Sequence, residues 1–263
     1  VNQPVKNSLK TKEVLGIYRN TNYENLILVD KLNGGKADAL NAGINISKYP
    51  IFASIDADSI LEKDSLIKLT MSFVEKPETI AVGGIVRIAN GSIIKNGELI
   101  RMNIPKSKIA IFQIVEYLRA FLTGRASLSK LHSILIISGA FGAFNKKAVI
   151  NCGGYKVNII GEDMEIIVRL HKTMKDQKKK YNIEFLAEPI CWTQAPESFK
   201  DLRTQRRRWQ IGLFDTLLSY KSMIFNPKYG TIGMISLPYY WIFELLGPII
   251  EFLGYIFIPL AYL

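Results

Sequence analysis

The stretch Ile51-Phe52-Ala53-Ser54-Ile55-Asp56-Ala57-Asp58 runs apolar and then ends in two carboxylates one residue apart. A short continuous apolar run of this kind reads as a strand covered on both faces. Ser59 breaks it, and residues 62–74 carry helical spacing. In an open α/β sheet, ligands bind just beyond the carboxyl ends of the strands, which is where Asp56 and Asp58 stand. Two hard oxygen ligands with room for water and phosphate suit Mg2+ or Mn2+ better than zinc. A solvated strand end produces the same D-x-D pattern, so the pair needs company to carry a function.

Outward from that stretch, residues 25–30 read as another buried strand, followed by a turn at Gly34-Gly35 and a helix over about 36–47. Residues 81–88 read as a strand, with Gly83-Gly84 marking a close approach of backbone or ligand. An exposed hairpin or loop over 91–106 follows, then an apolar segment, 134–144, rich in small residues and centred on Ser138-Gly139-Ala140. Residues 183–187 form a late strand. Strands separated by helices predict an α/β domain with a mainly parallel sheet. A helix is expected to start at Ser198, with Asp201 completing a weak capping box. Along it Gln205, Arg208 and Trp209 share one face, being three and four residues apart.

Three further clusters can carry chemistry. Gly35-Lys36-Ala37-Asp38-Ala39-Leu40-Asn41 lacks the spacing of a P-loop. Glycines and a Lys at a helix start nevertheless offer backbone donors, a favourable dipole and a positive charge to a diphosphate. Helix capping and surface charge are the other reading of Lys36 and Asp38, and Leu40 and Asn41 read as packing and turn residues. Gly161-Glu162-Asp163 opens a helix whose Met164, Ile167, Val168 and His171 have core-like spacing. A carboxylate there either caps the helix or serves as a general base, and His171 reads as a surface or packing residue. In Gln205-Arg206-Arg207-Arg208-Trp209, an Arg can chelate a diphosphate and a Trp can stack on a sugar ring. Arg206 and Arg207 read instead as a patch for anionic lipid. Trp192 is a second stacking candidate beside its reading as a core residue.

In order, G-K-A-D-A-L-N, D-A-D, G-E-D and Q-R-R-R-W resemble the motif set of the membrane-embedded family-2 glycosyltransferases, which include the cellulose, chitin, hyaluronan and poly-N-acetylglucosamine synthases. The resemblance runs from about Asn25 to the end of the chain, and Q-x-x-R-W is its most specific part. It implies a GT-A-like nucleotide-sugar-binding domain followed by transmembrane helices. It also implies an inverting hexosyltransferase that draws on a nucleotide-diphosphate donor, with UDP expected. Lys36, Asp38, Asp56, Gln205 and Arg208 would bind the donor, and Asp58 with Asp56 would hold Mg2+ or Mn2+. Asp163, with Glu162 beside it, would be catalytic, and Trp209, Ser138 and Gly139 would border the acceptor. Family members open with a strand and an acidic cluster for the nucleotide base. No such segment precedes Asn25, where residues 1–20 are polar and Lys-rich, so that acid is expected to be missing.

The chain has 263 residues and a formal charge of +11, enough for one α/β domain with an appendage. It opens on Val1 and stops at Leu263 inside an apolar stretch, which reads as a fragment. A basic excess points to nucleic acid, anionic lipid or a polyanion. The Lys and Arg are scattered apart from Lys178-Lys179-Lys180 and Arg206-Arg207-Arg208, and the longest apolar stretch follows the Arg run. A membrane is therefore the expected partner, not nucleic acid. Cys152 and Cys191 have no zinc spacing and read as core thiols. Residues 231–263 hold no Lys or Arg, enough for one span and part of a second, with a kink expected at Gly247-Pro248. Glu244 and Glu251 lie seven residues apart, on one face if the helix continues. Lys221, Lys228 and the Arg run place the preceding domain in the cytoplasm. Residues 108–130, with Ile109, Phe112, Val115, Leu118 and Leu122 near one face, form an amphipathic helix for a membrane surface or a core. The expected organisation is a cytoplasmic catalytic domain over 1–228 and the start of a multi-pass plasma-membrane region over 229–263. Its partners would be a nucleotide-sugar donor, a glycan or lipid acceptor and further transmembrane segments. The competing readings are a non-processive enzyme with a lipid acceptor and, outside enzymes, a silent membrane scaffold or glycan-binding protein.

Overall fold

The computed structural model describes residues 8–260; residues 1–7 of the polar opening stretch and 261–263 of the apolar closing stretch lie outside the described residues. In chain order the elements are β1 (Val14–Arg19), β2 (Ile27–Lys31), α1 (Gly35–Ile46), β3 (Ile51–Ile55), β4 (Ile60–Leu61) and α2 (Ser65–Glu75). Next come β5 (Thr79–Ile88), the hairpin β6 (Ile93–Lys95) and β7 (Glu98–Arg101), and α3 (Lys108–Leu118). A π-helical turn, Arg119–Arg125, joins α3 to α4 (Ala126–Lys130). The series continues with β8 (Phe141–Asn145), α5 (Lys146–Asn151), α6 (Glu162–Asp176), β9 (Asn182–Thr193) and α7 (Phe199–Ser219).

The central sheet has the order β3-β8-β5-β9-β4. It is mixed, which corrects the expectation of a mainly parallel sheet. Only β5 and β9 pair parallel; β3–β8, β5–β8 and β4–β9 are antiparallel. β3, β5 and β9 run in one direction, as alternating strands and helices predict. β8 then inserts against that direction between β3 and β5. Its sequence, Phe-Gly-Ala-Phe-Asn, is short and rich in small residues, so it carries little strand signal of its own. Gly142 lies where a Cβ would meet the Ile137 side chain at 2.5 Å, and Gly83 beside it on β5 leaves the same side chain 3.1 Å.

The stretch read as a buried strand at 25–30 is also corrected. β2 pairs antiparallel with β1 in a separate two-stranded sheet, and Leu28 is 65% exposed. The apolar run Leu-Ile-Leu-Val looks two-sided in sequence, but only alternate residues turn inward. β1 lies within the stretch read only as polar.

One core packs the central sheet against α2, α5 and α6 through residues such as Leu69, Val82, Phe141, Ile166, Ile167 and Leu170. Burying side chains of this size contributes about 1.5–3 kcal/mol each. His171 joins this interior. Its Nε2 lies 2.8 Å from the Ile134 carbonyl and its Nδ1 2.8 Å from the Tyr181 hydroxyl. Burial pushes its pKa down to about 4, so it is neutral and donates from Nε2. Trp192 is a core residue, donating to Glu62 at 3.2 Å, and Cys191 is buried.

A second core joins Leu135, Met164, Val168, Leu217 and Tyr220 to Ile232, Leu237 and Leu245. The apolar C-terminal stretch thus begins inside the packed domain. Among the described residues no single helix is long and apolar enough to cross a membrane; segments Ile232–Leu245 and Gly247–Ile258 meet that test only together, with a 50° bend between them. The bend falls at Gly247-Pro248 as expected. Glu244 and Glu251 are both exposed, on opposite sides of that bend, so no continuous helix aligns them.

Candidate active site

Lys36 is the hub of the candidate site. Gly35 adopts φ +81° at the start of α1, a left-handed conformation suited to glycine, and the next residue projects its ammonium across the sheet edge. That ammonium lies 2.5 Å from Asp56 and 3.4 Å from Glu162. It also donates to the Gly139 carbonyl at 3.3 Å. Burial opposes its charge, but the hydrogen bond to Asp56 and the charges of Asp56, Glu162 and Asp163 outweigh it, so its pKa is raised. One lysine therefore ties together three motifs far apart in sequence.

Asp163 stands on the other side of Gly139. Its Oδ2 accepts from the Gly139 N–H at 3.1 Å and its Oδ1 from the Met164 N–H at 2.9 Å. Burial raises its pKa first, and the charge of Glu162 adds to this; the two N–H donors and Lys36 pull the other way without reversing it. A carboxylate with a raised pKa is a stronger proton acceptor, which suits a general base. Gly139 lets the two side chains close in on it: a Cβ there would meet Lys36 Nζ at 2.8 Å, displacing the ammonium, and would lie 3.5 Å from Asp163 Cβ. Ser138 lines the same small cleft with Leu40, Tyr155, Glu162 and Asp163.

Asp58 is exposed on the turn after β3, closed by the Ser59 N–H to Asp56 carbonyl bond of 3.0 Å. Among the described residues no three His, Cys, Asp or Glu side chains gather to hold a metal. Asp58 is exposed and Asp56 half-buried beside Lys36, so the two supply hard oxygen groups of the kind that Mg2+ or Mn2+ takes when phosphate and water complete its shell.

Asp38 has a different setting from the one its motif suggested. It is buried, in an ion pair with Lys31, and accepts from the Lys12 N–H at 2.8 Å. Burial raises its pKa, but Lys31 and the Lys12 N–H outweigh that and hold it low. It thereby pins the segment around Lys12 and the end of β2 to α1. Asn41 buries too, exchanging two 2.8 Å hydrogen bonds with the Tyr155 backbone, so the end of this motif shapes the cleft wall.

The Gln205–Trp209 cluster lies on α7, whose N-cap is Ser198 as expected; its Oγ accepts from the Asp201 N–H at 3.2 Å. α7 crosses α6 at backbone contact. Gly161 takes φ +97°, and a Cβ on Gly212 would lie 2.1 Å from the Ile160 carbonyl oxygen. Arg208 is exposed and Trp209 is 46% exposed; among the described residues Arg208 has no ion pair and the buried Gln205 Oε1 no partner. Arg206 corrects its reading as a lipid contact: it forms a bidentate pair with Glu116 of α3, and its guanidinium sits 4.5 Å over the Trp209 ring. Lys228 likewise pairs with Asp176 at 2.5 Å.

A family profile described as glycosyltransferase like family 2 matches residues 9–212. The chain belongs to glycosyltransferase family 2. It is similar to the poly-beta-1,6-N-acetyl-D-glucosamine synthase of Staphylococcus aureus (strain COL), 30% identical over 203 residues that make up 77% of this chain and 44% of that protein. The Staphylococcus epidermidis protein of the same name is 30% identical over 188 residues, 72% of this chain and 41% of its own. The chain spans less than half the length of these curated relatives. Among solved structures, the mannosyltransferase PcManGT from Pyrobaculum calidifontis, in complex with GDP-Man and Mn2+, is similar with a TM-score of 0.57 at 17% identity, over 80% of this chain and 50% of that one. At that identity the likeness is one of fold, a GT-A-like glycosyltransferase domain on a mixed sheet.

In this glycosyltransferase domain, the residues that motif reading passed over are those that hold the motifs in place. Glu116 and Tyr117 belong to the segment read as one amphipathic helix, where Phe112, Val115, Leu118 and Leu122 are exposed as an apolar face. Gln113, on the opposite side, is buried and donates to the Pro196 carbonyl at 2.8 Å just before α7. The available signal was a polar Gln113 between Phe112 and Ile114, though its burial is a fact of the structure alone.

Proposed function

We propose that this family-2 domain transfers a sugar from a nucleotide-diphosphate donor, UDP-linked, to a growing polysaccharide by one inverting displacement at a membrane. The observation that carries it is the join through Gly139, which sets the raised-pKa carboxylate of Asp163 beside the Lys36–Asp56 pair. Asp163 takes the proton of the acceptor hydroxyl as its oxygen attacks the anomeric carbon. The bond from that carbon to the diphosphate oxygen breaks, and the diphosphate leaves with its electron pair. Asp58 and Asp56 would hold a Mg2+ or Mn2+ ion, which offsets charge on the departing diphosphate. Lys36 and Arg208 add positive charge for the same group, Gln205 completes the donor side, Glu162 keeps Lys36 oriented, and Asp38, buried against Lys31, supports α1 from behind and does not reach the donor. Trp209, Ser138 and Gly139 form the acceptor side. The polysaccharide acceptor is supported by the likeness to the two staphylococcal synthases. The exposed apolar face of α3 and the bent C-terminal pair support a membrane setting, with the catalytic domain, whose second core takes in Ile232, Leu237 and Leu245, on the cytoplasmic side and the apolar stretch that continues from that core opening a multi-pass region.

The test is incubation of membranes bearing the protein with a panel of labelled nucleotide sugars, with and without chelator. Polymer from one donor, lost on chelation and in Asp58→Ala, is expected. Single-sugar adducts on lipid would replace the polymer acceptor by a lipid, and transfer from no donor would favour a silent scaffold.

A further inference from the structure

Trp209 does not hold its own orientation. It is half exposed on α7, where an indole has several rotamers open to it. Two neighbours act on it. The Arg206 guanidinium lies 4.5 Å over its ring, and Tyr117 of α3 packs against it with ring centroids 6.4 Å apart at 44°. Arg206 is held in turn by both carboxylate oxygens of Glu116. A bidentate carboxylate fixes the plane of a guanidinium as well as its position. Glu116 therefore sets the plane that lies against the indole, and α3 supplies both contacts through adjacent residues. The α3 helix is itself tied to the segment leading into α7, where Gln113 donates to the Pro196 carbonyl at 2.8 Å.

We infer that Glu116 is a positioning residue which acts through Arg206 to set the Trp209 ring as an acceptor platform. The inference rests on the acceptor role proposed for Trp209. Stability gives little reason for the pair: the side chains are about one-third exposed, at 33% and 38%, and solvent screens a pair so placed.

The experiment compares wild type, Glu116→Gln and the exchanged pair Glu116→Arg with Arg206→Glu. Each is made in a background with Trp192→Phe and Trp241→Phe, so that indole emission reports Trp209 alone. Glu116→Gln is expected to shift that emission. It should also raise KM for a β-1,6-linked N-acetylglucosamine oligomer about two- to fivefold, the range an exposed cation–π contact supports. KM for the nucleotide sugar should not change. The exchanged pair restores the ion pair but leaves no guanidinium over the indole, so it should keep both defects. Recovery of wild-type emission and KM in the exchanged pair would make Glu116 a merely structural partner and overturn the proposal. So would wild-type emission in Glu116→Gln. If the wild-type protein transfers no sugar, the proposed function fails, while the emission arm still decides whether Glu116 orients Trp209. Should the background fail to fold, acceptor and donor KM of Glu116→Gln in the native protein decide alone.

Discussion

At the scale of the residue, the proposed chemistry turns on Asp163. Burial and then the charge of Glu162 raise its pKa, so ionising it in the folded chain costs stability, a cost that the proposed base role explains. An acid whose pKa is raised by folding loses stability as pH rises through the ordinary carboxylate range towards the folded value. Asp163→Asn removes that cost while its amide oxygen can still accept from the Gly139 N–H. The variant is expected to melt at or above the wild-type temperature at pH 7, to keep its affinity for nucleoside diphosphate, and to lose about 100- to 10,000-fold in kcat. In wild type the acid limb of kcat should lie above the usual carboxylate pKa, because only the ionised form accepts a proton. A pH series of kcat with a thermal melt measures both, and retention of most activity by the variant would assign the base elsewhere.

At the scale of the element, the α6–α7 crossing is expected to set how the proposed base meets the Gln205–Trp209 face. Helices approach this closely only where side chains are absent, and Gly161 and Gly212 meet there. The atom blocking a Cβ on Gly212 is a backbone oxygen at 2.1 Å, which has no rotamer with which to yield. Gly212→Ala should therefore cost about 1–3 kcal/mol by overpacking. It should also lower kcat roughly 100-fold, the effect of about 1 Å of misplacement at a reacting centre. Gly43→Ala, on the exposed side of α1 with nothing within 4 Å of the new Cβ, is the control and should stabilise by up to about 1 kcal/mol through helix propensity. Denaturant melts and initial rates on the two variants separate the effects. Equal behaviour would show that the crossing does not set the site.

For the whole molecule, the second core makes the apolar C-terminal stretch part of the catalytic domain's own stability. Ile232, Leu237 and Leu245 are buried against Leu135, Met164, Val168 and Leu217. At about 1.5–3 kcal/mol per side chain, their loss removes an amount comparable with the roughly 5–15 kcal/mol that holds a domain folded. A chain cut after residue 228 is thus expected to aggregate or melt well below the chain cut after residue 246, as read by light scattering and thermal unfolding. Equal melting of the two would place the boundary at 228/229.

Much of the fold was legible because its signals are local. The Ser198 cap, the helical spacing of α6, the glycines opening α1 and the Gly247-Pro248 bend each act within a turn or two of chain. The motif residues were legible for a related reason, since their chemistry restricts the residue types able to fill them. What the sequence left open was decided by partners far along the chain. Lys36 meets Gly139 across 103 positions, and Arg206 meets Glu116 across 90. The antiparallel insertion of β8, the burial of Asp38 with Lys31 and the capture of Arg206 by Glu116 all belong to this second class. A carboxylate or guanidinium has the same local preferences whether it faces substrate, lipid or an ion partner, and only the packed tertiary structure places one of these within reach.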